Sequence, residues 1–401
     1  MKTIAVIGTL DTKGEECALL KDAIEKRGFN TLVVDAGILG EPFFKPDIAG
    51  EDVAIAGGAS IGDLRAERDR GKAVRIMGKG AEKILPELFA HGRIQGVIAL
   101  GGGGGTSIAT SGMRALPFGV PKVMVSTLAG RDVSGYVGIK DIVMVPSIVD
   151  ISGINRISRE VILRAAAAVC GMAEVETEVA GERTAIAATM FGNTTPCVGA
   201  AREILEAHRY EVLVFGCTGT SGKIMENLIE SGHIAGVLDI TTTELADELA
   251  GGVLSAGAGR LESAGASGIP QVVVPGCLDM VNFWEPESIP EMYRDRKFYR
   301  HNPNVTLMRT SIDENRRLGK VIYEKLNRSK GPVRVLIPLK GLSMIDAPGG
   351  FFWWPEADRA LFESLKEGLR PDIRVSEMDN NINDPEFADE CARALIDMMN
   401  S

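Results

Sequence analysis

The chain has 401 residues, of which 45% are hydrophobic and 24% charged, a composition typical of soluble globular enzymes and unlike that of disordered or fibrous proteins. Lys and Arg number 44 against 54 Asp and Glu, so the net charge of −10 gives no basic field that would attract nucleic acid or anionic lipid. Asp11 interrupts the first apolar run too early for a signal peptide, and no other run is long enough to span a bilayer. We expect a cytoplasmic protein with neither nucleic acid nor membrane as a partner.

The first elements predicted along the chain form a β-α-β unit. The strand "TIAVIG" is followed by the polar loop "TLDTKGEE", the helix "CALLKDAIEKRG" and the strand "NTLVVDAG", a pattern typical of a parallel sheet. Thr9, Asp11, Thr12 and Lys13 lie in the loop, where Lys13 could neutralise a phosphate and Asp11 could help to hold Mg²⁺. The alternative is a polar loop in which Asp or Thr only caps the helix.

Asp35 ends the second predicted strand. An acidic residue at this place often binds ribose hydroxyls in nucleotide-binding sheets. An Asx-turn into Gly37 explains the same residue without a ligand.

Five consecutive glycines follow the next strand, in "VIALGGGGGTSIAT" from Val97. Without Cβ atoms such a loop can adopt positive φ and bring its N–H groups close to a phosphate, with Thr106 and Ser107 capping the next helix. A flexible surface loop is the alternative. Ser126 and Thr127 end a neighbouring strand and are candidates for the same ligand. The predicted nucleotide-binding residues are Thr9, Asp11, Thr12, Lys13, Asp35, Gly101, Gly102, Gly103, Gly104, Gly105, Thr106, Ser126 and Thr127, with Asp11 also the candidate metal ligand.

The second half of the chain repeats this plan. From Thr184 come the strand "TAIAATMFG", the helix "CVGAAREILEAH" and the strand "EVLVFG"; "HGRIQGVIAL" is then matched by "SGHIAGVLDI", and "DIVMVPSIVD" with Asn155-Arg156 by "NVTLMRTSID" with Asn315-Arg316. Matches in the same order indicate an internal duplication. We therefore predict two Rossmann-like, doubly wound α/β domains with mainly parallel sheets, residues 1–178 and 179–401, joined by a hinge at residues 173–183. The strands "RVLIPLKG" and "DIRVSEMD" are expected to extend the second sheet.

Polar residues in the second half follow predicted strands. "GCTGTSGKI" from Gly216 has the wrong spacing for a P-loop and lacks its hydroxyl residue, although it could still bind an anion. The candidate catalytic residues, which could supply acid/base chemistry, are Asp239, Glu244, Asp279 and His301. Helix caps and a structural histidine are the alternatives. The loop "APGGFFWWPEA" is expected to be a lid, an oligomer contact or the packing of a small additional core.

Several longer motifs resemble one family. "GTLDTKGEE", "ALGGGGGTSIAT", "VPSIVDISGINRIS", "TMFGNTTPCV", "PGCLDMVNFWEP" and "IPLKGLSMIDAPGG" are similar to those of the Tm-one-like ATP-binding family, over about residues 3–395. The resemblance implies two Rossmann-like subdomains, Mg-ATP bound in the first, and a homodimer or higher homo-oligomer. The nucleotide would then contact the first turn, the glycine loop and the end of the strand at Ser126.

Three functions are compatible with these residues. The first is an ATP-dependent metabolic enzyme, a phosphotransferase, ligase or hydrolase, whose unidentified small substrate binds at the cleft between the domains. The second is a non-catalytic ATP-binding module in which nucleotide controls dimerisation or partner binding. The third is an enzyme that uses NAD or a sugar nucleotide on a similar fold.

Overall fold

The protein is described here by a computed structural model that covers residues 1–176 and 183–401. The chain divides into unit 1, Met1–Glu178, and unit 2, Val179–Ser401. The predicted domain boundary and most of the predicted hinge lie outside the described residues. Within the described part of the chain, no helix combines the length and the apolar character needed to cross a membrane.

Unit 1 alternates strands and helices in the manner of a doubly wound sheet. Its strands are β1 (Thr3–Gly8), β2 (Asn30–Asp35), β3 (Gly96–Gly101), β4 (Lys122–Ser126) and β5 (Val143–Pro146). Its helices are α1 (Gly14–Glu25), α2 (Gly50–Gly57), α3 (Ile61–Glu67), α4 (Arg70–Ala90), α5 (Gly103–Ala115), α6 (Ser134–Val137) and α7 (Arg156–Glu174). All strand pairs are parallel, in the order β2-β1-β3-β4-β5.

Both faces of this sheet are buried. Alternate residues of β1 show the division, since Ala5 and Ile7 pack with α2, α4 and α5, whereas Ile4 and Val6 pack with α1 and α7. Successive side chains of a strand point to opposite faces, so strands covered on both sides need continuous apolar runs. The apolar run "TIAVIG" is therefore accounted for by its central place in the sheet.

Unit 2 contains a larger parallel sheet. Its strands are β6 (Ala185–Met190), β7 (Glu211–Gly216), β8 (Gly236–Thr241), β9 (Gln271–Gly276), β10 (Met280–Phe283), β11 (Phe298–Asn302), β12 (Val305–Arg309), β13 (Val333–Pro338) and β14 (Arg374–Met378). Its helices are α8 (Thr195–Ala207), α9 (Thr220–Glu230), α10 (Thr243–Ala250), α11 (Ser263–Ser267), α12 (Ile312–Leu326), α13 (Pro355–Gly368) and α14 (Pro385–Met399). The sheet order β7-β6-β8-β9-β13-β14 begins as in unit 1, and β13 and β14 extend it as predicted.

One pairing of the predicted repeat is wrong. The run "NVTLMRTSID" was matched to β5, but its strand β12 lies in a separate antiparallel sheet of order β10-β12-β11. The neighbour of β9 in the parallel sheet is instead β13. Asn155 caps α7, whereas Asn315 lies inside the first turn of α12. The predicted fold class, two α/β units with mainly parallel sheets, is nevertheless confirmed.

Candidate functional site

A cavity of about 840 Å³ opens at the carboxyl ends of the strands in unit 1. Its walls come from the segments that follow β1, β2 and β3, at residues 9–13, 36–39 and 101–105, and from the corner between α3 and α4. Strands β1 and β3 are neighbours whose connections leave in opposite directions along the sheet. Ligands of open α/β sheets bind at such a switch point.

The glycine run forms the end of β3 and the first turn of α5, with Gly102 as the N-cap. The expectation of positive φ is wrong, because none of these glycines adopts it. The capping role expected of Thr106 and Ser107 is also wrong, since the helix has already begun at Gly103. The first helical hydrogen bond runs from the Thr106 N–H to the Gly102 carbonyl at 2.8 Å, which leaves the preceding N–H groups without helical partners.

The space around these glycines shows where the fold itself requires them. A Cβ on Gly101 would lie 3.0 Å from the Gly105 Cα, so this glycine is needed for packing. A Cβ on Gly102, Gly103 or Gly104 would approach no atom closer than 3.5 Å. The protein therefore has room for a Cβ at each of these three positions, and the absence of side chains leaves the helix entrance open to the cavity.

The first turn places Asp11 and Lys13 on the cavity wall. Asp11 Oδ2 accepts hydrogen bonds from the N–H groups of Leu39 at 2.6 Å and Gly40 at 3.2 Å, whereas its Oδ1 is buried without a hydrogen-bond partner. Thr9 and Thr12 share a hydrogen bond of 2.7 Å, and the Lys13 ammonium donates to the Ile151 carbonyl. The turn is thus held in shape by its own contacts and presents one unused carboxylate oxygen.

Four predicted contact residues lie outside the cavity wall or behind it. Asp35 accepts from the N–H groups of Leu10 and Gly37, which is the Asx-turn alternative, and burial raises its pKa. The buried Thr106 and Ser126 hydroxyls bind each other at 2.7 Å. Thr127 is exposed near Gly102. Asp35, Thr106 and Ser126 therefore support the segments that form the cavity.

Three arginines on the cavity wall, Arg65, Arg68 and Arg70, were missed by the sequence reasoning. Arg65 donates to the carbonyls of Ile38 and Gly40. The guanidinium groups of Arg68 and Arg70 make no ion pair within residues 1–176 and 183–401, and Arg70 Nη2 lies 3.8 Å from a Cβ placed on Gly104. The run "LRAERDR" was the available signal, since it places three arginines within six residues.

Most of the remaining wall is apolar, although Asp69 and Asp150 also lie on it. The apolar residues of the cavity are Ile38, Leu39, Leu64, Ala73, Val74, Met77 and Ile108. The cavity therefore combines N–H groups and arginines with a surface suited to a flat or apolar group. Such a combination is typical of sites for small ligands with one charged end.

In unit 2, Asp239 and Glu244 belong to one buried network centred on Arg260. The Arg260 guanidinium binds both oxygens of Asp239 at 2.6 and 2.7 Å and Glu244 Oε2 at 2.7 Å. Glu244 Oε1 accepts from the Gly219 N–H at 2.8 Å, and burial raises the pKa of Glu244. The three side chains are at most 1% exposed, so the predicted acid/base groups have their partners inside the protein.

Asp279 belongs to a second buried group. Its Oδ2 accepts from the Ser343 hydroxyl at 2.9 Å, and its Oδ1 has no hydrogen-bond partner. Arg309 binds Asp358 at 2.5 Å and lies 3.6 Å from Asp346. Burial, and then the charge of Asp346, raises the pKa of Asp279 well above its usual range.

His301 is exposed on β11, an edge strand of the antiparallel sheet. Among the described residues, no hydrogen bond or ion pair joins it to Asp239, Glu244 or Asp279. The four predicted catalytic residues therefore lie in three different places, and their catalytic role stays a prediction without a common site.

The aromatic loop contributes to packing. Phe352 is buried with Cys277, Met280 and Leu307, and its carbonyl accepts from Arg309 Nε at 2.8 Å. Phe351 next to it is 49% exposed. The small additional core is therefore the alternative that the contacts favour.

The fold and the cavity together define an α/β protein of two doubly wound units, the first of which has a cavity at its strand ends. The chain belongs to the UPF0261 family, described as an uncharacterised protein family: residues 2–178 match its N-terminal domain and residues 183–399 its C-terminal domain. The "UPF0261 protein" of Clostridium tetani is 54% identical over 400 residues, which is 99% of each chain.

The resemblance to the Tm-one-like family is also confirmed. The "ToMV resistance protein Tm-1(GCR237)" of Solanum lycopersicum is 43% identical over 336 residues, covering 82% of this chain and 44% of the tomato protein. Among solved structures, a spinosyn rhamnosyltransferase aligns over 99% of this chain and 97% of its own, but with 11% identity and a TM-score of 0.19. That similarity is too low to bear on fold or function.

Proposed function

We propose that unit 1 binds a nucleotide through its phosphates, with ATP as the expected ligand. Helix N-termini offer free N–H groups and a partial positive charge to anions. At the entrance of α5 these groups open on a cavity that also contains Arg68 and Arg70. The apolar wall around Val74, Met77 and Ile108 would accommodate the base.

The observation that carries this proposal is the run of three glycines, Gly102, Gly103 and Gly104, at the entrance of α5. The fold leaves room for a Cβ at each of them, so packing within the protein does not require glycine there. Close approach of a ligand does require it, because side chains at a helix entrance would stand between the N–H groups and a phosphate.

Asp11 suits the predicted Mg²⁺ in one respect, its unpartnered buried Oδ1. Within the described residues, no group of three His, Cys, Asp or Glu side chains could hold a metal by itself. The remaining ligands would have to be phosphate oxygens and water, as is usual for Mg²⁺ bound with nucleotides. Such an ion would neutralise part of the phosphate charge.

The test compares Gly104→Val with Gly171→Val. Both add the same side chain to a helix of unit 1, but a Cβ on Gly171 meets nothing within 4 Å and lies away from the cavity wall. We expect ATP to raise the Tm of the wild type and of Gly171→Val, and Gly104→Val to weaken ATP binding by about tenfold or more in calorimetric titration, a loss of about 1.4 kcal/mol. Equal ATP affinity in all three proteins would refute the proposal.

Binding has more structural support than catalysis, because Asp239 and Glu244 are already engaged by Arg260. The predicted ATP-dependent enzyme is tested separately, by phosphate release from Mg-ATP with a panel of small hydroxy and carboxylic acids. Background turnover together with ATP-induced stabilisation would favour the binding module. Sedimentation with and without ATP tests whether the chain self-associates and whether nucleotide changes that association.

A further inference from the structure

The two parallel sheets can be compared residue by residue at the strand next to the cavity. Ile4 of β1 pairs with Gly96 at the start of β3, and Ile186 of β6 pairs with Gly236 at the start of β8. In both units the strand is followed by one N-cap residue and a helix, which begins at Gly103 in unit 1 and at Thr243 in unit 2. Counting from the strand starts, Gly104 of unit 1 corresponds to Glu244 of unit 2, and Ala99 corresponds to Asp239.

The side chain of Glu244 lies between the two segments of unit 2 that correspond to two walls of the cavity. In unit 1 the cavity lies between the segment that follows β2 and the entrance of α5. In unit 2 the carboxylate of Glu244 reaches from the entrance of α10 to the Gly219 N–H, in the segment that follows β7. A Cβ on Gly222 of α9 would lie 2.4 Å from Glu244 Oε2, so the carboxylate is packed directly against the start of that helix.

The contacts of Glu244 are those of a bound anion. One oxygen accepts from a backbone N–H where a helix begins, and the other accepts from a guanidinium. The same guanidinium is held by Asp239 and lies 3.3 Å from Glu226 Oε1. Asp239 itself accepts from the Thr189 hydroxyl at 2.7 Å. Charge-assisted hydrogen bonds between arginine and oxyanions are the strong contacts of phosphate sites.

We infer that unit 2 has an anion-binding position equivalent to the cavity of unit 1, and that the Glu244 carboxylate occupies it in place of a phosphate. Arg260 and the Gly219 N–H are the anion ligands, and Asp239 orients the guanidinium. The chain consequently binds one phosphate-bearing ligand, in unit 1. The number of ligands per chain rests on the function proposed for unit 1. The occupation of the unit 2 position by Glu244 does not.

The test removes the internal carboxylate with Glu244→Gly, which reproduces Gly104, and uses inorganic phosphate as the probe. Without the carboxylate, phosphate can bind Arg260 and the Gly219 N–H, so we expect phosphate to raise the Tm of Glu244→Gly by more than it raises that of the wild type. Glu244→Gln is the matched control, because the amide fills the same space and should leave the response to phosphate as in the wild type.

Recovery after refolding from denaturant, with and without phosphate, is measured in parallel, so that a poorly folding Glu244→Gly protein still gives a result. No gain from phosphate in either Tm or recovery would overturn the inference. So would the same gain in Glu244→Gln.

The number of bound ligands gives a separate check on the wild type. One ATP per chain, lost in Gly104→Val, is expected; two per chain would overturn the inference. If the wild type binds no ATP, the function proposed for unit 1 fails, and the phosphate response of Glu244→Gly still decides the inference about unit 2.

Discussion

Arg68 adopts φ 53° and ψ 22° at the end of α3, a left-handed conformation. This conformation costs a residue with a Cβ about 1 to 2 kcal/mol, which is why glycine usually occupies it. Arg68 nevertheless lies on the cavity wall. A strained residue at a candidate site suggests that its side chain is needed there. The contribution of the side chain to ligand binding can be measured separately from the effect of the strained backbone on stability.

Arg68→Gly and Arg68→Ala both remove the guanidinium, but only glycine relieves the strain. We therefore expect the free energy of unfolding of Arg68→Gly to exceed that of Arg68→Ala by about 1 kcal/mol in urea denaturation. ATP affinity should fall in both variants to a similar extent.

Arg209 supplies the control, since it is exposed after α8 in unit 2 with φ 68°. The same pair of substitutions there should reproduce the stability difference without a change in ATP affinity. If the Arg68 substitutions left ATP affinity unchanged, or if the Arg209 substitutions lowered it as well, the result would contradict a place for Arg68 in the ligand site.

At the scale of elements, the start of α7 depends on one side chain. Asn155 Oδ1 accepts from the N–H groups of Ile157 at 2.9 Å and Ser158 at 3.0 Å, and the Ser158 hydroxyl accepts from the Asn155 N–H. We expect Asn155→Ala to lower the free energy of unfolding of unit 1 by about 1 kcal/mol and Asn155→Ser to lower it much less, because serine also caps helices. Equal losses in the two variants, measured by urea denaturation, would show that the cap does not stabilise α7.

The strands and helices illustrate what the sequence could and could not predict. The runs that became β1, β3, β6 and β8 are apolar, short and followed by small or polar residues, so their place in a parallel sheet was predictable. The run that became β12 looks the same, but its partners β10 and β11 make antiparallel pairs. An apolar run does not specify the direction of its neighbours, and this is why the match to β5 was wrong.

The candidate site was predictable in part for a similar reason. The glycine run and the first turn are recognisable because each is contiguous in sequence. Glu244 finds its partners Arg260 and Gly219 at separations of 16 and 25 residues, and neither separation follows a local pattern. From the sequence alone, Glu244 could be interpreted as a free carboxylate. The fold shows that it binds Arg260 and the Gly219 N–H.

At the scale of the whole molecule, the response to pH should depend on the buried acids of unit 2. Asp346 and Asp358 pair with the guanidinium of Arg309, and the charge of Asp279 also acts on it. If all three carboxylates were ionised, they would carry three negative charges against the single positive charge of Arg309. Burial and the charge of Asp346 raise the pKa of Asp358 to about 7, and burial also raises the pKa of Asp346. The folded chain thus holds protons that the unfolded chain would release near pH 4.

A carboxyl group whose pKa is raised by folding contributes its full stability below its unfolded pKa, and that contribution is lost as pH rises through the folded value. The free energy of unfolding should therefore fall between about pH 4 and pH 7, the latter set by Asp358. Asp279→Asn removes one titrating carboxyl without breaking the Arg309–Asp358 pair. We expect it to reduce the loss of stability between pH 5 and pH 8 by about 1 kcal/mol or more.

Asp295→Asn makes the same charge change at an exposed position, so it controls for the overall negative charge and should leave the pH dependence as in the wild type. Urea denaturation at the two pH values measures both, and parallel stability curves for wild type and Asp279→Asn would mean that this carboxyl is ionised in the folded protein at no cost.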